Sequence, residues 1–406
     1  MAHLRFLTAG ESHGKALIGI LEGVPSGFTI TAKDIDSELR RRQGGYGRGG
    51  RMRIESDHAE ILSGVRHGKT IGSPIAILVE NKDWVNWTET MSTEQRALGR
   101  LSKNEKGTVI TRPRPGHADL AGALKYDHRD VRNVLERSSA RETAMRVALG
   151  AVAKQILSGF DIIVGSYVTR IGTVNGQRSQ FNVHSSENKL IQVFKKAEQS
   201  PVRCPDTAAS KKMVNLIDRA IQQGNSLGGL FQVFVTGVPA GIGSHVHWDR
   251  KLDSRLAQAV MSIPALKGVE IGLGFEMGTK TGSAVMDEIF YKARGKGQSA
   301  GFYRKTNNAG GIEGGMSNGM PIVLSAVMKP IPTLRKPLMS VDIKTKRSFK
   351  AAYERSDTCA VPAAAVVAEA VVALVIADAC LEKFGGDSKK EVLRNYTSYN
   401  SYISNF

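Results

Sequence analysis

The sequence predicts a chain of mixed α+β class, and three observations carry that prediction. Short aliphatic runs bounded by glycine, proline or polar clusters recur along the chain and read as strands. Long alanine-rich stretches with helical apolar spacing lie at 131–157 and 361–381. Hydrophobic content of 41% and charged content of 23% are those of a soluble globular protein, and 406 residues are ample to bury a core. With 56 Lys and Arg against 38 Asp and Glu, the formal net charge is +18. Such a balance favours polyanions or a small, heavily anionic ligand and says nothing about fold.

Taken in order, residues 3–7 and 16–22 read as strands flanking Gly10-Glu11-Ser12-His13-Gly14, where glycines leave Ser12 and His13 presented rather than packed. The start of the chain has no apolar h-region, so no signal peptide is expected. Thr31 caps a helix through Arg42, with Asp34 and Asp36 in its first turn and Arg40-Arg41-Arg42 in its last, as the helix dipole favours. Gln43–Arg53 follows with five glycines and no acid in eleven residues, a loop expected to be flexible when empty and able to close over an anion. Residues 59–79 read as two strands around a 68–73 turn, and 82–100 as irregular, with Trp84 and Trp87 as surface anchors.

The richest stretch is Arg112–Arg146, with eight arginines and lysines, five acids and two histidines. Arginine grips carboxylate or phosphate in bidentate fashion, so arginines spaced among serines describe an anion pocket. Pro-Gly before His117 sets a turn that holds the imidazole at a loop tip. Beyond one long helix at 131–157, strands are expected at 161–172, 228–238, 268–275 and 321–328, with helices at 187–199, 207–223 and 250–262. Ala293–Gly319 is too glycine-rich for regular structure and too long for a simple connector. Val361–Leu381 is apolar but carries Glu369 and Asp378, which a membrane span tolerates poorly, so it reads as a buried helix and no membrane is expected. Cys204, Cys359 and Cys380 lack metal-ligand spacing and cannot all pair, which points to a reducing compartment and no metal site.

No GxGxxG, Walker, HExxH or CxxC pattern is present, so a flavin or nucleotide would need another architecture. A nucleic-acid-binding protein would account for the charge, but aromatic content of only 6% leaves no interleaved stacking residues. A flavin-dependent oxidoreductase would need a hydride-donor site.

Six motifs in order, GESHG at 10–14, RPGHAD at 114–119, RSSARET at 137–143, NNAGGIEGG at 307–315, KPIPT at 329–333 and RSDTC at 355–359, resemble the chorismate synthase family over residues 3 to about 383. The resemblance implies a trans-1,4 elimination of phosphate from 5-enolpyruvylshikimate 3-phosphate, giving chorismate, with reduced FMN and no net redox change. It implies one domain over 1–406, with 384–406 as a tail, folded as a β-α-β sandwich of two antiparallel sheets around a central helical layer. A cytoplasmic homotetramer is also implied. NADPH is expected only as an indirect reductant through a separate flavin reductase, since no reductase domain is visible. Matched catalytic positions are His13, protonating the departing phosphate, His117, keeping the flavin reduced and correctly protonated, and Asp357, relaying the ring proton. The alternative for Asp357 is a cap on the 361–383 helix. Ser12, Arg42, Arg48, Arg114, Ser139, Arg141 and Arg355 match substrate contacts. Arg42, Arg48, Arg137, Ser138, Ser139, Ala265, Gly314, Lys329, Pro330, Ile331, Pro332, Thr333 and Arg355 match cofactor contacts, Ala265 following Pro264 where the family has Asn.

Overall fold

The computed structural model describes residues 4–49, 56–94, 109–176, 187–293, 301–351 and 357–406. Two antiparallel sheets organise it. The first has spatial order Arg5–Ala9, Ala16–Glu22, Ile75–Glu80, Ala59–Ile61. Its strand Ala16–Glu22 alternates buried Leu17, Gly19 and Leu21 with outward Ile18 and Ile20, the two-residue period of a half-covered sheet. The second runs Leu266–Ile271, Ile322–Met328, Gly229–Thr236, Ile163–Ile171, Val174–Asn175.

Helix α1 (Ala32–Gln43) starts at Thr31, whose hydroxyl accepts from Asp34 N while Asp34 accepts from Thr31 N, a reciprocal capping box. Short helices α2 (Asp119–Lys125) and α3 (Arg132–Ser138) precede the long α4 (Thr143–Ser158). Helix α4 packs on strand Ala16–Glu22, and the helix Val361–Phe384 packs on strands Ile163–Ile171 and Gly229–Thr236. The two helices meet at Gly150, where an added Cβ would come within 2.4 Å of Ala370 Cβ. The Val361–Phe384 helix is buried almost throughout, as its alanine-rich sequence requires of a helix packed on all sides.

Several expectations change. The helix expected over 131–157 is two helices, because Ser139 is extended (φ −64°, ψ 142°) and a short 3-10 turn Ala140–Glu142 follows. Serine competes for backbone partners here: Ser139 accepts from Arg141 N, and the Ser138 hydroxyl donates to Val134 O at 2.7 Å. The 59–79 interval holds an extra small hairpin, Val65–Arg66 with Lys69–Thr70, which overlaps the start of its expected 68–73 turn. The 268–275 strand spans Leu266–Ile271 and yields to a 3-10 turn, Gly274–Thr279. Within 293–319, Gly301–Arg304 pairs with Ile289–Lys292, and Ile312–Glu313 pairs with Met316–Ser317, where Gly314 and Gly315 with positive φ make the tight turn. The tail is a helix, Lys389–Ser404, docked through Phe384 against Tyr396 and through Tyr399 Oη donating to Ala240 O at 2.9 Å.

One buried carboxylate ties these parts together. Glu369, fully buried on the Val361–Phe384 helix, accepts from Arg41 (2.8 and 2.9 Å), Lys154 (2.6 Å), Arg203 (3.0 Å) and the Ser166 hydroxyl (2.5 Å). Burial alone would raise its carboxyl, but the three cations outweigh burial and hold it well below the usual carboxylate range. Glu369→Ala would strand those cations, so equilibrium denaturation should show a loss of about 3–5 kcal/mol.

Candidate active site

The break at Ser139 turns the chain beside the end of the first sheet where Ala16 pairs with Glu80, and brings Ser139 and Arg141 to the last turn of α1, where Arg42 lies. Arg141 is buried; its Nη1 donates to Asp57 Oδ1 at 2.6 Å and its Nε to Asn81 Oδ1 at 2.8 Å. Arg42, also buried, donates from Nε to Thr143 Oγ1 (3.0 Å) and from Nη2 to Ala140 O (2.9 Å). Its Nη1 lies 3.7 Å from Asp57 Oδ2, and neither of these two buried atoms has a hydrogen bond among the described residues. Burial, and then the charges of Arg48 and Arg141, lower the Arg42 guanidinium to about 9 against the pull of Asp57 and Asp357. A buried cation with an unmatched donor, beside further cations, is a seat for an anion.

The GESHG loop is fastened beside it. Asn81 Nδ2 donates to Gly14 O at 2.7 Å, Ser12 N donates to Glu136 O at 3.0 Å, and the Ser139 hydroxyl donates to Ser12 Oγ at 3.1 Å. His13 N donates to Glu136 Oε2 at 2.8 Å, and His13 Nδ1 lies 2.9 Å from Glu136 Oε1. Trp87 stacks on the imidazole with centroids 3.9 Å apart, so Trp87 is part of the site rather than a surface anchor. Arg137 donates to Thr8 O (2.7 Å) and Gly10 O (3.0 Å), bracing the loop from its other end.

Arg48 Nη1 pairs with Asp357 Oδ2 at 2.8 Å, and Gly49 N donates to Asp357 Oδ1 at 2.6 Å. Asp357 therefore does not cap the Val361–Phe384 helix, whose N-cap is Ala360 without a side-chain bond. Nor is the first half of the glycine loop loose: Thr358 N donates to Gly47 O at 2.8 Å, and a Cβ on Gly47 would meet Ile217 Cγ2 at 2.8 Å. Arg355, like 50–53 of that loop, lies outside the described residues.

On the RPGHAD turn, His117 Nδ1 lies 2.5 Å from Asp119 Oδ1, and Arg114 Nε donates to Asp119 Oδ2 at 2.9 Å. Burial would raise the Asp119 carboxyl, but hydrogen bonds from His117 and Arg114 prevail and hold it well below the usual carboxylate range. Lys329 Nζ donates to Gly116 O, and a Cβ on Gly116 would touch Pro332 Cβ at 3.4 Å, so the KPIPT segment abuts this turn. Lys329 N donates to Ala265 O at 2.9 Å, Ser226 Oγ donates to Ile331 O at 2.6 Å, and Thr333 is buried. Lys329, Pro330, Ile331, Pro332, Thr333 and Ala265 are thus one neighbourhood at the Met328 end of the second sheet. Gly314 is not with them. Its hairpin joins Gly243 at the Ile322 end of the same strand, roughly 20 Å away at about 3.4 Å per residue.

Arg42, Arg48 and Arg141 gathered beside the Glu136-held imidazole of His13, with a second cationic turn that carries Arg114 and His117, fit an enzyme that acts on a small polyanion. A family model described as Chorismate synthase matches residues 4–381. Chorismate synthase of Geobacter sulfurreducens is 56% identical over 405 residues, 99% of this chain and 100% of that one. That of Bacillus cytotoxicus is 55% identical over 403 residues, with 99% and 100% coverage. A crystal structure of chorismate synthase superposes with a TM-score of 0.79 at 44% identity, covering 100% of this chain and 99% of that one. The chain belongs to the chorismate synthase family, lyases of aromatic amino acid biosynthesis that use reduced flavin.

Sequence reasoning missed Asp57, Asn81, Trp87, Asp119 and Glu136. Asp119 and Glu136 sit in or beside quoted motifs and could have been weighed as histidine partners. Asp57 and Asn81 are lone polar residues that only the fold brings to Arg141. The unmatched Arg42 donor generates a prediction. Inorganic phosphate should raise the unfolding temperature of the wild type and do so less in Arg42→Gln, in a thermal-shift titration. Because the guanidinium loses its proton as pH rises through about 9, the phosphate-induced rise should be full below that pH and shrink above it.

Proposed function

We propose that this chain catalyses trans-1,4 elimination of phosphate from 5-enolpyruvylshikimate 3-phosphate, giving chorismate, with bound reduced FMN and no net redox change. The observation that carries the site assignment is the buried Arg42–Asp57–Arg141 group, with its unmatched donor, beside Ser12, Ser139 and His13. Arg42, Arg48, Arg114, Arg141 and Arg355, with the two serines, hold the substrate's phosphate and two carboxylates, the bidentate chemistry to which arginine is suited. His13 donates a proton to the departing phosphate, its ring oriented through Nδ1 by Glu136. Asp357, aligned by Arg48 and Gly49 N, takes up the ring-methylene proton.

Arg137, Ser138, Ser139, Ala265 and Lys329–Thr333 would hold FMN. Cations beside hydroxyls and exposed backbone are the donor set that a ring system with a phosphate tail requires, and burial and then nearby Lys267 lower the Lys329 ammonium, a cost to its charged form that a bound anion would relieve. Bound reduced flavin supplies electron density to the positive character that develops as phosphate leaves the allylic carbon. His117 keeps a proton at that site, oriented by Asp119.

The two sheets and the helices they contact form one β-α-β sandwich domain, and the chain acts as a cytoplasmic homotetramer. Exposed Leu7, Ile18 and Ile20 on the outer face of the first sheet give copies an apolar surface to share. Gly314, distant from the KPIPT segment within one chain, would reach a flavin only from a second copy. NADPH serves through a separate reductase.

The decisive assay is anaerobic, with purified chain, chemically reduced FMN and the enolpyruvyl substrate; phosphate release with a new ultraviolet-absorbing diene is the expected result, and no release overturns the proposal. In that assay His13→Ala and His117→Ala should each lower turnover about 10²–10⁴-fold, with substrate and FMN affinity changed far less. In air, NADPH and FMN alone should not sustain turnover until a flavin reductase is added.

A further inference from the structure

We infer that Glu136 is a positioning residue for the elimination, fixing the ring and tautomer of His13 and coupling it to Ser12. This rests on the role proposed above for His13. The geometry is specific. Glu136 lies at the inner face of α3, its side chain only 1% exposed, and both carboxylate oxygens are committed to one residue. Oε2 accepts the His13 backbone N–H at 2.8 Å, while Oε1 and Oε2 lie 2.9 and 3.1 Å from Nδ1. One carboxylate therefore fixes both where His13 sits and how its ring turns. The Glu136 carbonyl accepts Ser12 N at 3.0 Å, so the adjoining hydroxyl is set by the same residue.

Trp87 covers one face of the imidazole, 24° from parallel, which hinders the turn about Cβ–Cγ that would carry Nδ1 away from Glu136. Among the described residues the other charged group at this carboxylate is Arg132, with Nη1 3.9 Å from Oε1 and its guanidinium 5.4 Å from the Trp87 ring centre. Glu11 lies on the loop itself, with Oε2 3.1 Å from where a Cβ on Gly14 would stand. With Nδ1 held by a buried carboxylate, the imidazole keeps one tautomer and one ring orientation, the division of labour by which a carboxylate orients a catalytic histidine. Glutamine cannot substitute, because its amide NH2 would face one of the two N–H donors that the carboxylate accepts.

The test is a double-mutant cycle of Glu136→Gln and His13→Ala in the anaerobic assay, with Glu136→Asp as a folded alternative that keeps the charge but is too short to span both N–H groups. Glu136→Gln should lower kcat about 10–100-fold, less than losing the histidine itself, with KM for substrate and FMN affinity within about twofold. On the His13→Ala background the same change should cost under about twofold, as for residues acting in one unit. A loss of equal size on both backgrounds, or kcat unaltered in Glu136→Gln, would overturn the inference. A readout independent of turnover separates this from failure of the proposed reaction. In a Trp84→Phe, Trp248→Phe chain, Trp87 emission should rise when Glu136→Gln releases the stacked imidazole, and it should rise no further when His13→Ala is added. Unchanged Trp87 emission in Glu136→Gln also overturns the inference, whatever the assay shows.

Discussion

Cations crowded into a partly buried pocket repel one another, and the site is arranged around holding that repulsion down without cancelling it. Four arginines and His117 share three buried or half-buried carboxylates. Asp57 lies between Arg42 and Arg141, Asp119 is divided between Arg114 and His117, and Asp357 serves Arg48. Sharing keeps the side chains aligned, because a carboxylate offers enough lone pairs for two partners. It also leaves positive charge in excess, and the charges of Arg48 and Arg141 add to burial in lowering the Arg42 guanidinium. An incoming phosphate or carboxylate supplies what the protein withholds. Binding is then strongest for a ligand with several anionic groups at once, and weak for any that carries only one.

The scaffold reaches the site through α1. Its three closing arginines divide their work by helical position: Arg40 is exposed, Arg41 turns inward to Glu369, and Arg42 enters the pocket. Core and site are therefore joined by neighbouring residues on one helical turn. Helix α4 completes the link from the other side, since Lys154 reaches Glu369 while Thr143, at the opposite end of the same helix, accepts from Arg42.

The elements with strong period or strong punctuation were legible in the sequence. Thr31 and Asp34 announced α1, alternation announced Ala16–Glu22, and an unbroken apolar run announced Val361–Phe384. The break at Ser139 was not legible, because the apolar spacing on both sides belongs to helices and two serines are a weak breaker until tertiary partners claim them. The arginines and histidines of the site stood out through motif density. Their partners did not: Asp57 and Asn81 have no local signature, and their meaning comes only from strand placement beside Arg141. Trp87 looked like a surface residue because a polar neighbourhood in sequence says nothing of an imidazole brought to it in space.

The glycine-rich loop shows how composition can mislead about mechanism. Its glycines suggested a flap loose enough to close over a ligand, yet the part through Gly49 is seated. Gly45, with φ 111°, lies where a Cβ would press on Pro362, and Gly47, with φ 87°, lies where a Cβ would stand 2.8 Å from Ile217 Cγ2. Here glycine is needed for close approach and for a left-handed backbone rather than for freedom. The consequence is that Arg48 is delivered on a fixed strut anchored at the start of the most buried helix in the molecule, with Asp357 on the same anchor. Pairing of the two is built into the fold before any ligand arrives, so the ordering entropy that a mobile arginine would lose on binding is largely met during folding. That preorganisation suits a site whose chemistry depends on aligning a proton acceptor and a leaving group on opposite parts of one small ring, where displacements of an ångström are costly.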